Sequence, residues 1–271
     1  MAEQVGTHYV LLNADRRAGG LSTVRKGVDT RDGSQVAVKF VVASSDELTR
    51  KVFDRETSAL RGLSHPNIVH FRDAGIDETG TFYLVLDWVD RSLTDLLKTP
   101  PWEGWDDLYD SIAKPLVDGL AYAHLKLREH RDIKPSNILI DASGAPLLAD
   151  FGISKIRGDE QHSEFTVQNF RSGPYAPPEL DGSIPYVRDV YSVGVVLLQC
   201  LSDSTIRDFP DVRRALEAVK VPPEVRTVLE ACVNPEPGER PANGSELASE
   251  FAKIRRQQVA RQEQPLNPVW L

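Results

Sequence analysis

The chain has 271 residues, 41% of them hydrophobic and 27% charged, with a formal net charge of −8 at pH 7. That length supports one large domain or two lobes around a sizeable core, and the acidic balance excludes a nucleic-acid binder held by a basic surface. No apolar run reaches the ~18 residues of a membrane span and the start "MAEQVGTH" has no apolar signal-like stretch, so a cytoplasmic chain is expected.

The first ninety residues read as strands with one helix. "YVLL", "STVRKGVD" and "SQVAVKFVV" are candidate strands, and Asp32-Gly33 between the last two is a hairpin-turn signal. "RAGGLSTV" at 17–24 joins the first two; alone it reads equally as a tight turn or as a loop folding over phosphates. "SSDELTRKVFDRETSALRGL" has a helical pattern with Val52, Phe53, Leu60 and Leu63 as its buried positions. "NIVHFRDAGI" and "TFYLVLDWV" return to strand patterns. Beyond about residue 92 helices dominate, at 92–98, 106–127, 189–202, 211–220, 223–233 and 244–262. A small β-rich half before a larger helical half predicts two lobes joined near Val89-Asp90. Cys200 and Cys232 sit in apolar helical contexts without a CxxC spacing and read as packed free thiols of a reducing compartment.

Chemistry concentrates in "EHRDIKPSNILID", residues 129–141. A carboxylate (Asp132), an ammonium (Lys134) and an amide (Asn137) share one short loop stiffened by Pro135, a set suited to phosphoryl transfer. The carboxylate can accept the proton of an attacking hydroxyl, the lysine can neutralise the transferring group, and the amide oxygen can bind a metal. Asp150 follows in "LLADFGISK", a carboxylate beside Phe and Gly at the end of an apolar strand, as a metal ligand on a reorientable loop would be. HRD or DFG alone could be a surface turn, but the combination is specific.

On these residues the sequence resembles the eukaryotic-type serine/threonine protein kinase family, in the manner of a bacterial member, over essentially the whole chain. The resemblance implies an α+β, two-lobed fold over 1–271: an N-lobe of about 1–88 with one main helix, a helical C-lobe of about 89–262, and a tail at 263–271. It implies ATP as phosphoryl donor, with Mg²⁺ or Mn²⁺ held by Asn137 and Asp150. Asp132 would be the base and Lys134 its neighbour, while Lys39 of "VAVK" would hold the phosphates and pair with Glu56 of the helix. "RAGGLSTV" aligns with the family's glycine loop with Gly19 alone retained, Ser22 replacing the last glycine and Arg17 the first. Val24, Ala37 and Leu139 would sandwich adenine; Leu86 would be the gatekeeper, and Asp87 to Val89 would offer backbone groups. Leu60, Phe71, His130 and Phe151 would stack between the lobes. Glu179 would pair with Arg240, and Asp189 would brace the catalytic loop.

Lys134 at that spacing, and Ser172, point to Ser/Thr acceptors on protein substrates rather than tyrosine. Arg131 is the residue that pairs with a phosphorylated activation loop in the family, which here contains Ser154, Ser163 and Thr166. On strand alternation alone, Lys39 would face solvent as readily as a pocket. Three departures stand out: Arg128 and Glu129 replace apolar residues before HRD, Pro177 replaces an alanine, and the linker after 189–202 is short. A pseudokinase-like nucleotide-binding module of a larger protein, with a fused or associated C-terminal domain, remains open as the alternative; a small-molecule kinase and a dinucleotide-binding fold fit less well.

Overall fold

The structure is a computed structural model and describes residues 3–19, 22–41, 47–151, 173–179 and 184–262. Six antiparallel strands form the N-terminal sheet: β1 (Glu3–Val5), β2 (Tyr9–Gly19), β3 (Ser22–Asp29), β4 (Gln35–Val41), β5 (Phe71–Ile76) and β6 (Phe82–Asp87), in the order β1-β2-β3-β4-β6-β5. Alternation gives this sheet two apolar faces. Val36 and Val38 of β4, opposite Asp87 and Val85, build one cluster with Val5, Tyr9, Leu11 and Tyr83. Ala37, Lys39 and Val41, opposite Leu86, Leu84 and Phe82, face the other way, toward helix α1 (Glu47–Arg61) and the second lobe.

Because both faces are covered, Lys39 is buried at 4% exposure, and the solvent-facing reading of its strand does not hold. In α1 the buried residues are Phe53, Glu56, Thr57 and Leu60. Val52 is only half-buried, and Leu63 is buried just past the helix end. The carboxylate Glu56, one turn from Phe53, takes the place on the buried stripe that the apolar pattern alone had assigned to Val52.

The helical lobe begins with β7 (Arg91–Ser92) and the single turn α2 (Leu93–Leu96), shorter than the helix expected at 92–98. The helix expected over 106–127 is α3 (Trp105–Leu108), a π-helical turn over Tyr109–Ala113, and α4 (Lys114–Leu125). Strands β8 (Ile138–Ile140) and β9 (Pro146–Leu148) complete a three-stranded sheet beneath the cleft in the order β7-β8-β9. Then follow α5 (Val187–Leu201), α6 (Phe209–Ala218), α7 (Pro223–Cys232) and α8 (Gly244–Gln262), close to the expected spans. Helix α5 is buried along almost its whole length, which its run of Val and Leu on all sides requires. Cys200 and Cys232 are buried free thiols, as expected.

The lobes are stitched together behind the cleft. Asn67, after α1, accepts from the Leu148 N–H (2.9 Å) and donates its amide to the Pro146 carbonyl (3.0 Å), while Val69 N–H donates back to Leu148. The loop leaving α1 is thereby fixed to β9 of the other lobe. Across the helical lobe, Gly244 opens α8 so close to α4 that a Cβ there would meet the Ala121 nitrogen at 2.7 Å.

Candidate active site

The loop carrying Asp132 is held from beneath by Asp189 of α5. This carboxylate, fully enclosed, accepts the backbone N–H of His130 (2.7 Å) and of Arg131 (2.7 Å) and the His124 ring Nε2–H (3.1 Å). His124 Nδ1 accepts from the Gly244 N–H, which places its proton on Nε2. Burial alone would raise the Asp189 carboxyl; the hydrogen bonds it accepts from the His124 ring and the His130 N–H outweigh it and hold the group below the usual carboxylate range. These bonds sustain a strained backbone, since Arg131 lies at φ 67°, in the left-handed region.

The strain aims the next residues at the cleft. Asp132 accepts the Lys134 ammonium on both oxygens (3.0 and 2.9 Å) and the Asn137 amide on its carbonyl and on Oδ2 (2.8 Å each). With its nitrogen so used, the amide oxygen of Asn137 is directed away from Asp132. His130 is a buried packing residue: Nε2 donates to the Ala149 carbonyl (2.7 Å) and the ring lies 4.4 Å from that of Phe151. Leu60, Phe71 and Phe151 are buried too, and together they line an apolar cavity that runs behind Leu86 and reaches Asp150.

Asp150 also sits in the left-handed region, at φ 73°, and its Oδ2 receives the Lys39 ammonium at 2.6 Å. The pair expected between Lys39 and Glu56 is therefore not formed. Glu56, 3% exposed, instead contacts Arg128 (3.3 Å) and its neighbour Arg55 (3.1 Å). The physical reason is that each charge is already compensated elsewhere, Lys39 by Asp150 and Glu56 by Arg128 and Arg55, so neither is left buried and unpaired.

The remaining sequence-selected residues line the cleft mouth. Val24 is directly opposite Lys39 in the β3–β4 register, and Lys26 opposite Ala37. Val24, Ala37, Leu86, Asp87, Val89 and Leu139 are half-buried, whereas Val36, Val38, Val85, Ile138 and Ile140 beside them are fully buried. That contrast marks an open slot between two packed layers. At the hinge, the Asp87 N–H donates to His70 and the Trp88 N–H to Gln35, and the Trp88 indole donates to Asp90 (2.7 Å). A bulge in β5 leaves Arg72 unmatched in the ladder and turns its guanidinium onto the Asp87 carboxylate. The β2–β3 ladder runs to Gly19 opposite Ser22, with Arg17 opposite Val24. Gly20, Ser154, Ser163, Thr166 and Ser172 lie outside the described residues.

Below the cleft, Arg240 makes a two-pronged pair with Glu179 (2.6 and 2.8 Å) and stacks over Tyr191 at 4.9 Å, the expected partnership. Sequence reasoning missed His124, whose only sequence signal is a histidine on the buried face of an otherwise apolar helix. It also assigned no partner to Arg128 or Glu129. Glu129 accepts from the Arg131 guanidinium (2.8 Å) and, on its other oxygen, from the Tyr186 N–H (3.1 Å).

Two oxygen donors, Asn137 Oδ1 and the Asp150 carboxylate, fit a hard divalent cation that keeps waters and takes phosphate oxygens. No cluster of three or more His, Cys, Asp or Glu suited to a metal occurs among the described residues.

Comparison with known proteins agrees with this geometry. The protein kinase domain family matches residues 18–252, and the chain belongs to that family, with the serine/threonine kinases of eukaryotic type. It is 30% identical over 271 aligned positions to the serine/threonine-protein kinase PknK of Mycobacterium tuberculosis, covering 92% of this chain and 24% of that protein. To cyclin-dependent kinase 12 of Caenorhabditis elegans it is 34% identical, over 70% of this chain and 28% of the relative. The chain thus spans well under half the length of these curated relatives. Its fold matches the solved apo form of PpkA-294 with a TM-score of 0.72, at 21% identity, covering 93% of this chain and 98% of that one. Among the described residues no helix is long and apolar enough to cross a membrane.

Proposed function

We propose that this chain is a catalytic kinase domain that transfers the γ-phosphoryl group of ATP to serine or threonine hydroxyls of proteins, in a cytoplasmic setting. The observation that carries the reading is the assembly of Asp132, Lys134 and Asn137 on a strained loop pinned by Asp189. Asp132 accepts the proton as the acceptor oxygen forms its bond to phosphorus and the bond to the ADP oxygen breaks. Lys134, already on that carboxylate, is placed to balance charge on the transferring group. Lys39 holds the phosphates, and Val24, Ala37, Leu86 and Leu139 enclose the base, whose polar edge meets the backbone of Asp87 to Val89. Mg²⁺ (or Mn²⁺), when bound by Asn137 and Asp150, neutralises phosphate charge. Gly19 lets the hairpin backbone approach the phosphates without a side chain in the way.

The test is incorporation of labelled phosphate from ATP into a generic basic protein substrate by wild type, Asp132→Ala and Lys39→Ala. Transfer by wild type that both substitutions abolish is the expected result. Equal incorporation by all three would sink the proposal, and nucleotide-dependent thermal stabilisation without transfer would point to a regulatory nucleotide-binding module.

A further inference from the structure

Behind the hinge, one guanidinium serves three carboxylates. In a regular ladder the residue after Phe71 would stand opposite Val85; the bulge gives that place to Asp73 and leaves Arg72 outside the pairing. From there Arg72 Nε donates to the Asp87 carboxylate, while Nη1 donates to Asp32 at 3.2 Å and lies 3.7 Å from Asp29. Asp29 is 1% exposed and keeps a second cation, Arg31, on both of its oxygens (2.9 and 2.7 Å). Among the described residues, Arg72 is the cation that the Asp87 carboxylate has. Alternation along β6 puts the Asp87 side chain on the face of Val36 and Val85, away from the slot that Ala37 and Leu86 line. The Asp87 N–H is held by the His70 carbonyl and the Trp88 N–H by the Gln35 carbonyl (3.1 and 3.3 Å). Arg72 therefore grips the hinge from the side opposite the slot.

We propose that Arg72 is a positioning residue that holds the hinge backbone of Asp87 to Val89 in place for the polar edge of the bound base. The inference rests on the nucleotide-site reading given above. Arg72 acts through the Asp87 carboxylate and touches no ligand. Without its guanidinium, Asp29, Asp32 and Asp87 are left facing one another across the space it filled, and like charges so close repel. Asp87 is the one that yields. Asp29 stays clamped by Arg31, and Asp32 stays in the turn its carboxylate closes with the Ser34 N–H and hydroxyl (2.8 and 2.5 Å). As the Asp87 side chain turns away it carries the end of β6 with it, and the backbone groups that follow lose their aim. Hydrogen bonds weaken steeply with angle, so a small rotation of the hinge is read as lost affinity for the base.

The deciding measurement is calorimetric affinity of the full chain for the Mg²⁺ complex of a non-hydrolysable ATP analogue, for wild type, R72M, R72K, D87N and R72M/D87N. R72M keeps the packed stem and removes the charge, and it should bind about fivefold weaker, within the range of coupled neighbours. R72K, which keeps a cation but not the planar fork, should fall between R72M and wild type. In the D87N background, where no carboxylate remains for Arg72 to hold, R72M should cost less than about twofold. Unchanged or tighter binding by R72M overturns the inference, and so does R72K binding no better than R72M. An equal loss from R72M in both backgrounds also overturns it, because a merely structural contact would be missed equally with and without the Asp87 charge. Should R72M fail to fold, R72Q takes its place with the same outcomes. No binding of the analogue by wild type would overturn the nucleotide-site reading and this inference with it, whereas binding by wild type that R72M leaves unchanged overturns the inference alone.

Discussion

In the helical lobe, Asp189, Asn137 and Arg240 each find their partners within their own lobe: the loop at 130–131, Asp132, and Glu179. In the β-rich lobe, the buried charges Lys39 and Glu56 reach across the cleft to Asp150 and Arg128. The first arrangement is preorganised, because its bonds join elements packed against one another in a single core. The second is exchangeable, since each pair is a side-chain contact across the cleft, while the lobes are held together separately by bonds such as the Asn67 stitch. On the proposed reading, the difference teaches that the chemical step and the holding of nucleotide are built with different rigidity in one chain.

The sharpest way to break that division is to compare Asp132→Asn with Lys39→Met. The first removes the base from the preorganised lobe and should lower kcat by roughly 10²–10⁴-fold with nucleotide affinity little changed. The second should raise the KM for ATP. If Asp132→Asn altered affinity as much as turnover, the division would be wrong.

A smaller effect is expected from Asp189→Asn, which puts an amide against three N–H donors in a sealed site. It should cost about 3 kcal/mol of unfolding free energy in urea titrations. Its pH dependence has a definite sign. The folded carboxyl is held below its ordinary range, so its contribution is complete above the unfolded value of about 3.9 and is lost as pH falls through the lower folded value. The stability gap between wild type and Asp189→Asn should therefore be flat near neutrality and narrow below about pH 4. A gap that widened in acid would contradict the assignment. The smallest effect is at the hairpin of the β-rich lobe. Gly33 lies at φ 73° with open space around it, so Gly33→Ala should cost about 1 kcal/mol through backbone strain alone and leave affinity and turnover unchanged.

Much of this was legible beforehand, for reasons that differ by residue. The strand of Lys39, the turn at Asp32-Gly33 and the helix at 244–262 follow from local periodicity and turn chemistry. The catalytic loop was legible because Asp132, Lys134 and Asn137 lie so close in sequence that one tight turn must bring them together. The Glu179–Arg240 pair was reached through family resemblance and not through spacing, since 61 residues separate the two. Val52 was misplaced because a stripe drawn from apolar residues alone cannot know that a carboxylate will be buried on it.

By itself, then, the sequence determined the two-lobed division, most helices and the grouping of Asp132, Lys134 and Asn137 on one loop, because these depend on local pattern and short separations. Only the tertiary structure decided which charge each buried charge would meet. Lys39 has Glu56 and Asp150 as candidate partners, and Glu56 has Lys39, Arg55 and Arg128. The choice among them turns on ångström differences in how α1, the end of α4 and the residues after β9 are packed. Coulomb energy in a partly dehydrated cleft changes steeply over such distances, so no pattern in the chain could have settled it.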